Sequence, residues 1–190
     1  GSRFERTWVL DGTGLHENAV TAVGFYGDAV RVSHGCVGGW TEFGPGRTVT
    51  RSTENVLYEL DGQPALALYK HYLGERAADL PGSALLFPLA LRVEGEGADA
   101  VVRTILGVDE ATQSMTFAGD IPTGASVRLM RTTVDRLVTG AESATQHATV
   151  THAPVGTTSG RSILALSVSC VGRRLVMGER TEEEAEAVVD

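Results

Sequence analysis

The run NVLYELDGQPALALYKHYLG, residues 55–74, changes its period half-way along, and that change decides the fold class. Val56 to Leu60 is branched and aromatic strand sequence, and Asp61-Gly62-Gln63-Pro64 is turn sequence. Beyond it, Leu66, Tyr69 and Leu73 recur at helical spacing until Gly74 interrupts them. Pro64 suits the first turn of a helix, where its missing N–H is harmless. The reading is strand, turn, then a helix over Pro64 to Leu73.

Working outward, Thr7 to Tyr58 is rich in Val, Thr, Tyr and Trp and cut by glycines, which predicts a β-meander. Ala19 to Tyr26 and Ala29 to Ser33, linked by Gly27-Asp28, read as a hairpin with a primed turn. Val30 and Val32 alternate with Arg31 and Ser33, giving that strand one wet face. Gly35 to Gly46, glycine-dense around Trp40 and Phe43, reads as a loop before a short strand at Thr48 to Thr50. Downstream, Ala84 to Arg131 predicts a second meander, with Val101 to Leu106 and Met115 to Phe117 flanking polar Asp109 to Gln113. Asp120 to Gly124 turns the chain into Val127 to Met130. Thr132 is placed to cap a helix carrying Val134, Leu137, Val138 and Ala141 on one face. Ile163 to Cys170 is nearly continuously apolar, as in a strand buried on both faces. Thr181-Glu182-Glu183-Glu184 has the form of a capping box opening a helix with Ala185, Val188 and Val189 on its apolar side.

The sum is an α+β fold: antiparallel β-meanders with a few packed helices. Gly1-Ser2 resembles the remnant of an expression tag, and the chain stops inside an amphipathic helix. It therefore reads as a fragment with an incomplete sheet. An open sheet edge near Ile163 to Cys170, or in the Ala84 to Arg131 meander, is the expected route to a homodimer.

A net charge of −8 argues against nucleic acid and anionic membrane as partners, because both need a dense field of Lys and Arg. Arg173-Arg174, the one basic pair of note, reads as a solvated turn. No run approaches the roughly 20 apolar residues that cross a bilayer, and no signal peptide is visible, so a cytoplasmic location is expected. Cys36 and Cys170 are expected as reduced thiols.

Several ordered motifs resemble the FIST family of sensory domains. Gly35-Cys36, Phe43-Gly44-Pro45, Thr48-Val49-Thr50, Asn55 to Gly62, Pro64-Ala65-Leu66 and Leu68 to Gly74 are similar to the junction of its N- and C-terminal halves. Val102 to Asp109, Phe117 to Pro122 with Gly124, and Ser169-Cys170-Val171-Gly172-Arg173 are similar to stations along the C-terminal half. The resemblance implies that residues 3–60 are the β-rich end of the N-terminal half and that 61–190 are the C-terminal half, truncated. It implies an intracellular sensor of a small, amino acid-like ligand, coupled to partners such as a histidine kinase or a cyclic-dinucleotide enzyme. Some members are haem proteins that sense nitric oxide. Thr149 to Gly160 stands where the family commonly has an Ala-rich helix, so the helix after Thr132 is expected to be shortened.

The chemistry-bearing residues are few. His34, beside Cys36 and Trp40, is the candidate axial ligand if haem binds, although a histidine at a strand end is more often a solvated hydrogen-bonding group. No His/Cys spacing meets a zinc template, and the expected cofactor is none. His34 with Cys36 fits a thiol nucleophile pair sterically, but no orienting third group or oxyanion hole accompanies it, so no catalytic residue is assigned. Cys170 reads as a small hydrophobe. Arg103 and Arg173, beside apolar strands, suit two-point recognition of a ligand carboxylate or, in the plainer reading, internal salt bridges. The candidate ligand-binding set is His34, Cys36, Trp40, Arg103, Cys170 and Arg173.

Overall fold

In the computed structural model, residues 6–28, 30–93, 100–150 and 164–189 are described. Strands β1 (Val9–Asp11) and β2 (Gly14–His16) pair with each other as a separate ribbon. The main sheet begins with the 13-residue β3 (Thr41–Thr53), followed by β4 (Val56–Leu60), the short β5 (Gln63–Pro64) and helix α1 (Ala65–Leu73). Asp61 (φ 50°) and Gly62 (φ 75°) are both left-handed, which is the primed geometry a two-residue hairpin requires, so Leu60 faces Gln63. Pro64 ends β5 and caps α1, and Gly74 (φ 58°) stops the helix.

Next come β6 (Leu89–Arg92), β7 (Val101–Arg103), β8 (Ile105–Asp109), β9 (Ser114–Phe117) and β10 (Ser126–Arg131). The antiparallel order is β7-β6-β10-β3-β4-β9-β8, with β5 on β4. The two end strands, β7 and β8, are separated in the chain by Thr104 alone, so the sheet curls until its ends meet. Ala118 N donates to Thr104 O at 2.9 Å, extending the β8–β9 ladder to that link.

The main core lies inside the curl, where Val49, Leu57, Leu89, Leu91, Ile105, Met115, Phe117, Val127 and Leu129 meet Leu66 and Tyr69 of α1. Strand alternation turns Ala90 and Met130 to the other face, and they are buried as well. That second layer is supplied by α2 (Val134–Val150), α3 (Val171–Met177) and α4 (Glu182–Val189), which contribute buried Leu137, Ala141 and Met177. Helix α2 packs on α3 and α4, and α3 rests on the 3-10 turn Gly82–Leu86.

Several expectations are corrected. Residues 19–26 and 30–33 form no hairpin; a turn bond from Val30 N to Gly27 O (3.2 Å) is present, but Val20, Val23 and Tyr26 are exposed and no sheet lies beside them to bury one face. The loop of Gly35 to Gly46 ends at Trp40, because β3 absorbs Gly44-Pro45-Gly46 as a bulge. The register against β10 shifts there, from Arg47 opposite Val127 to Phe43 opposite Leu129. Residues 164–170 are not a buried central strand: they are exposed and outside both sheets, so their apolar run has no covering layer. Ile163 lies outside the described residues.

Helix α2 is capped one residue later than expected, by Thr133 Oγ1 accepting from Arg136 N (3.4 Å), while Thr132 Oγ1 donates to Gly39 O (2.7 Å). The helix is described over 17 residues, Val134–Val150. His152 and the threonine-rich run after Val150 lie outside the described residues. Arg173-Arg174 is helical, not a turn. The capping box is not formed either, since Thr181 Oγ1 donates back to Gly178 O (2.6 Å) and Glu184 points into the protein. The buried face of α4 is accordingly Glu184, with Ala187 and Val188 half-buried, while Ala185 and Val189 are exposed.

Candidate functional site

The sequence Ser169-Cys170-Val171-Gly172-Arg173 builds the most polar buried spot. Cys170, in extended conformation, caps α3 by accepting Arg173 N on its Sγ (3.4 Å). Gly172 lets the helix approach the turn below it, since a Cβ there would lie 3.0 Å from Leu85 O. That approach carries the Arg173 side chain inward, where it is 9% exposed beside Glu184 at 8%.

Each nitrogen of the guanidinium then has a partner. Nε donates to Glu184 Oε1, Nη2 to Leu137 O (2.7 Å), and Nη1 to Gly38 O (3.1 Å) with a longer bond to Val37 O (3.5 Å). The other Glu184 oxygen accepts from Ser169 Oγ (2.6 Å). One arginine thus ties α2, α3, α4 and the 37–38 segment together. A buried charge pair with its remaining lone pairs and protons satisfied in this way is stable as a unit, and costly when halved.

The glycine segment is laid along α2. A Cβ on Gly35 would fall 1.8 Å from Ala144 O, and one on Gly39 (φ 75°) would fall 2.8 Å from Arg136 O. His34 and Cys36, which flank Gly35, are exposed. Trp40, at the foot of β3, is half-buried with its indole Nε1 enclosed and lacking an acceptor, the one such side-chain atom among the described residues. An enclosed donor without an acceptor is where an incoming oxygen would gain most.

Arg103 belongs to the sheet seam. Its Nε donates to Asp120 O (2.9 Å), and Gly119 packs against its guanidinium, with a Cβ position 3.3 Å away. Arg173 therefore spends its whole guanidinium on internal contacts, and Arg103 its Nε. The structure gathers Arg173 and Cys170 with the segment carrying His34, Cys36 and Trp40, and it sets Arg103 against the turn after β9, at Gly119 and Asp120.

The residue that sequence reasoning missed is Glu184, hidden by its resemblance to a capping-box acid. Its signal was there, because Glu184 shares a helical face with Ala187 and Val188 at i+3 and i+4. Among the described residues no group of three or more His, Cys, Asp or Glu is placed to hold a metal ion. His34 does not fit an axial haem ligand, for its exposed position provides no apolar enclosure for the macrocycle. No helix of the described residues is long and apolar enough to cross a membrane.

Comparison with known proteins gives one consistent answer. A family model described as the FIST C domain matches residues 65–190, and one described as the FIST N domain matches residues 1–63. No curated protein and no solved structure matches the chain.

Proposed function

Because the chain belongs to the FIST family, whose domains are associated with sensory roles in signal transduction, we propose that it binds a small amino acid-like ligand and passes on a signal. The observation that carries the reading is the match of both family models, over residues 1–63 and 65–190, whose boundary falls beside the Asp61-Gly62 turn. The enclosed Trp40 Nε1 supports a place for the ligand, beside the segment that Arg173 fixes, with the exposed His34, Cys36 and Cys170 as further candidate contacts. Arg173 serves such a site as a support, since a ligand carboxylate reaching it would first displace an internal acceptor. A cytoplasmic setting, a downstream kinase or cyclic-dinucleotide enzyme, and the absence of catalysis and of a cofactor belong to the same proposal.

A thermal-shift screen of the 20 kDa chain with amino acids and small organic acids tests it. A ligand that binds only the folded form raises Tm in proportion to the logarithm of its concentration. Trp40→Phe, which keeps an aromatic ring and removes the donor, is expected to weaken the hit. Flat curves throughout would end the ligand-binding reading. The haem alternative has its own check, a Soret band on reconstitution, and none is expected.

A further inference from the structure

We propose that the curled sheet carries a second ligand site, a groove beneath α1 that takes a small monocarboxylate with a short alkyl end. The groove lies between α1 and the β3–β10 pair. Leu68 and Tyr72 form its wall, Met115, Val127 and Leu129 its floor, and Arg47 and Arg128 its mouth. The mouths of curled and closed sheets are common ligand sites, and apolar walls with a few polar groups at one end are their usual form.

Size and charge define the occupant. The cavity is about 20 Å³, room for one water or one methyl-sized group, so the buried end of a ligand is short. Its walls are apolar, which disfavours water there. At the mouth, Asp61 pairs with Arg47, and Glu42 is shared between Arg92 and Arg128. Arg47 is held by Asp61 at 3.1 Å and by the Tyr72 hydroxyl, which fixes its position over the groove. Arg128 reaches Glu42 only at 3.7 Å, while Arg92 holds the other Glu42 oxygen. Arg128 is thus the cation with most to gain from a new acceptor, and the planar pair of carboxylate oxygens is the shape that a guanidinium matches. An ammonium would meet like charge at the mouth, and a long chain would have to lift α1. This site is separate from the segment of His34 and Trp40 and does not depend on it.

The test is an amide NMR titration of the 190-residue chain with sodium propionate, run beside sodium chloride, propylammonium chloride and sodium hexanoate. Saturable shifts centred on Leu68, Tyr72 and Arg128 are expected with propionate, with weaker hexanoate binding and none from the other two. Arg128→Gln is expected to raise the apparent Kd roughly tenfold. Leu68→Phe, which narrows the groove without touching a charge, should do the same, and both variants are scored only with native-like spectral dispersion. Equal shifts from chloride, or propionate shifts that neither variant alters, would overturn the site. Hits elsewhere in the thermal screen with propionate silent would leave the sensory reading intact and remove this one.

Discussion

Arg173 and Glu184 are each nine-tenths buried, so halving the pair leaves an uncompensated charge in a poorly solvating place. Arg173→Met is expected to cost about 3–5 kcal/mol in urea unfolding, and Glu184→Leu a similar amount. The double variant should recover part of the loss but not all of it, because the carbonyls of Leu137 and Gly38 still lose a donor. Losses that simply add in the double variant would show that the two groups do not act as a pair. Asp61 makes a different residue-scale prediction. The Thr48 N–H, and after it the Arg47 guanidinium, hold its carboxyl below the ordinary 3.8. A carboxyl depressed in the folded state adds stability that is present above the ordinary value and lost as pH falls through the lowered one. Stability measured from pH 6 down to pH 2 should therefore fall in the native chain, and Asp61→Asn should flatten that fall. Asn tolerates the left-handed conformation at this turn, so backbone strain does not confuse the result.

At the scale of elements, the glycines of the 35–39 segment divide into those that space permits to change and those it does not. Gly35→Ala would drive a methyl into the Ala144 carbonyl of α2, whereas Gly38→Ala meets nothing within 4 Å. Overpacking against backbone costs about 1–3 kcal/mol, so Gly35→Ala should lower Tm clearly and Gly38→Ala hardly at all. Equal effects would mean that the segment does not lie on α2. That segment also shows where sequence reading stops. Local signals were sufficient for α1, for the Asp61-Gly62 turn and for the strands from Val101 to Arg131, since turn chemistry and period act within a few residues. They were not sufficient for Gly44-Pro45-Gly46, which looks like a loop until β10 is placed opposite and makes it a bulge. The apolar run 164–170 has the composition of a buried strand, but composition does not supply the layer that would bury it. The candidate site was half legible: the cysteine, glycine and arginine of residues 170–173 were marked, while the Glu184 partner is visible only once α3 and α4 lie side by side.

For the molecule as a whole, the distribution of apolar surface is the unresolved force. The curled sheet and its two layers bury their own apolar faces, and the seam at Thr104 brings the sheet's ends together. Yet Val20, Val23 and Tyr26 stand 93%, 75% and 91% exposed, and Leu164, Leu166 and Val168 stand 68%, 72% and 94% exposed. Both stretches lie outside the sheets and the helices. Leu164, Leu166 and Val168 alternate with Ala165, Ser167 and Ser169, so a strand pairing with 164–169 would present its large side chains on one face. Contiguous exposed apolar sequence of this kind favours association between chains. The chain is therefore expected to self-associate, with a light-scattering mass that rises above 20.0 kDa with concentration. Leu166→Lys with Val168→Lys should return it toward a single chain, since two charges on one strand face oppose edge-to-edge pairing. The same pair of substitutions should leave the unfolding midpoint nearly unchanged, because neither side chain is buried in the folded chain. A monodisperse 20.0 kDa species at high concentration, or lysine variants that associate as strongly as the parent, would show that these segments are not the adhesive surface.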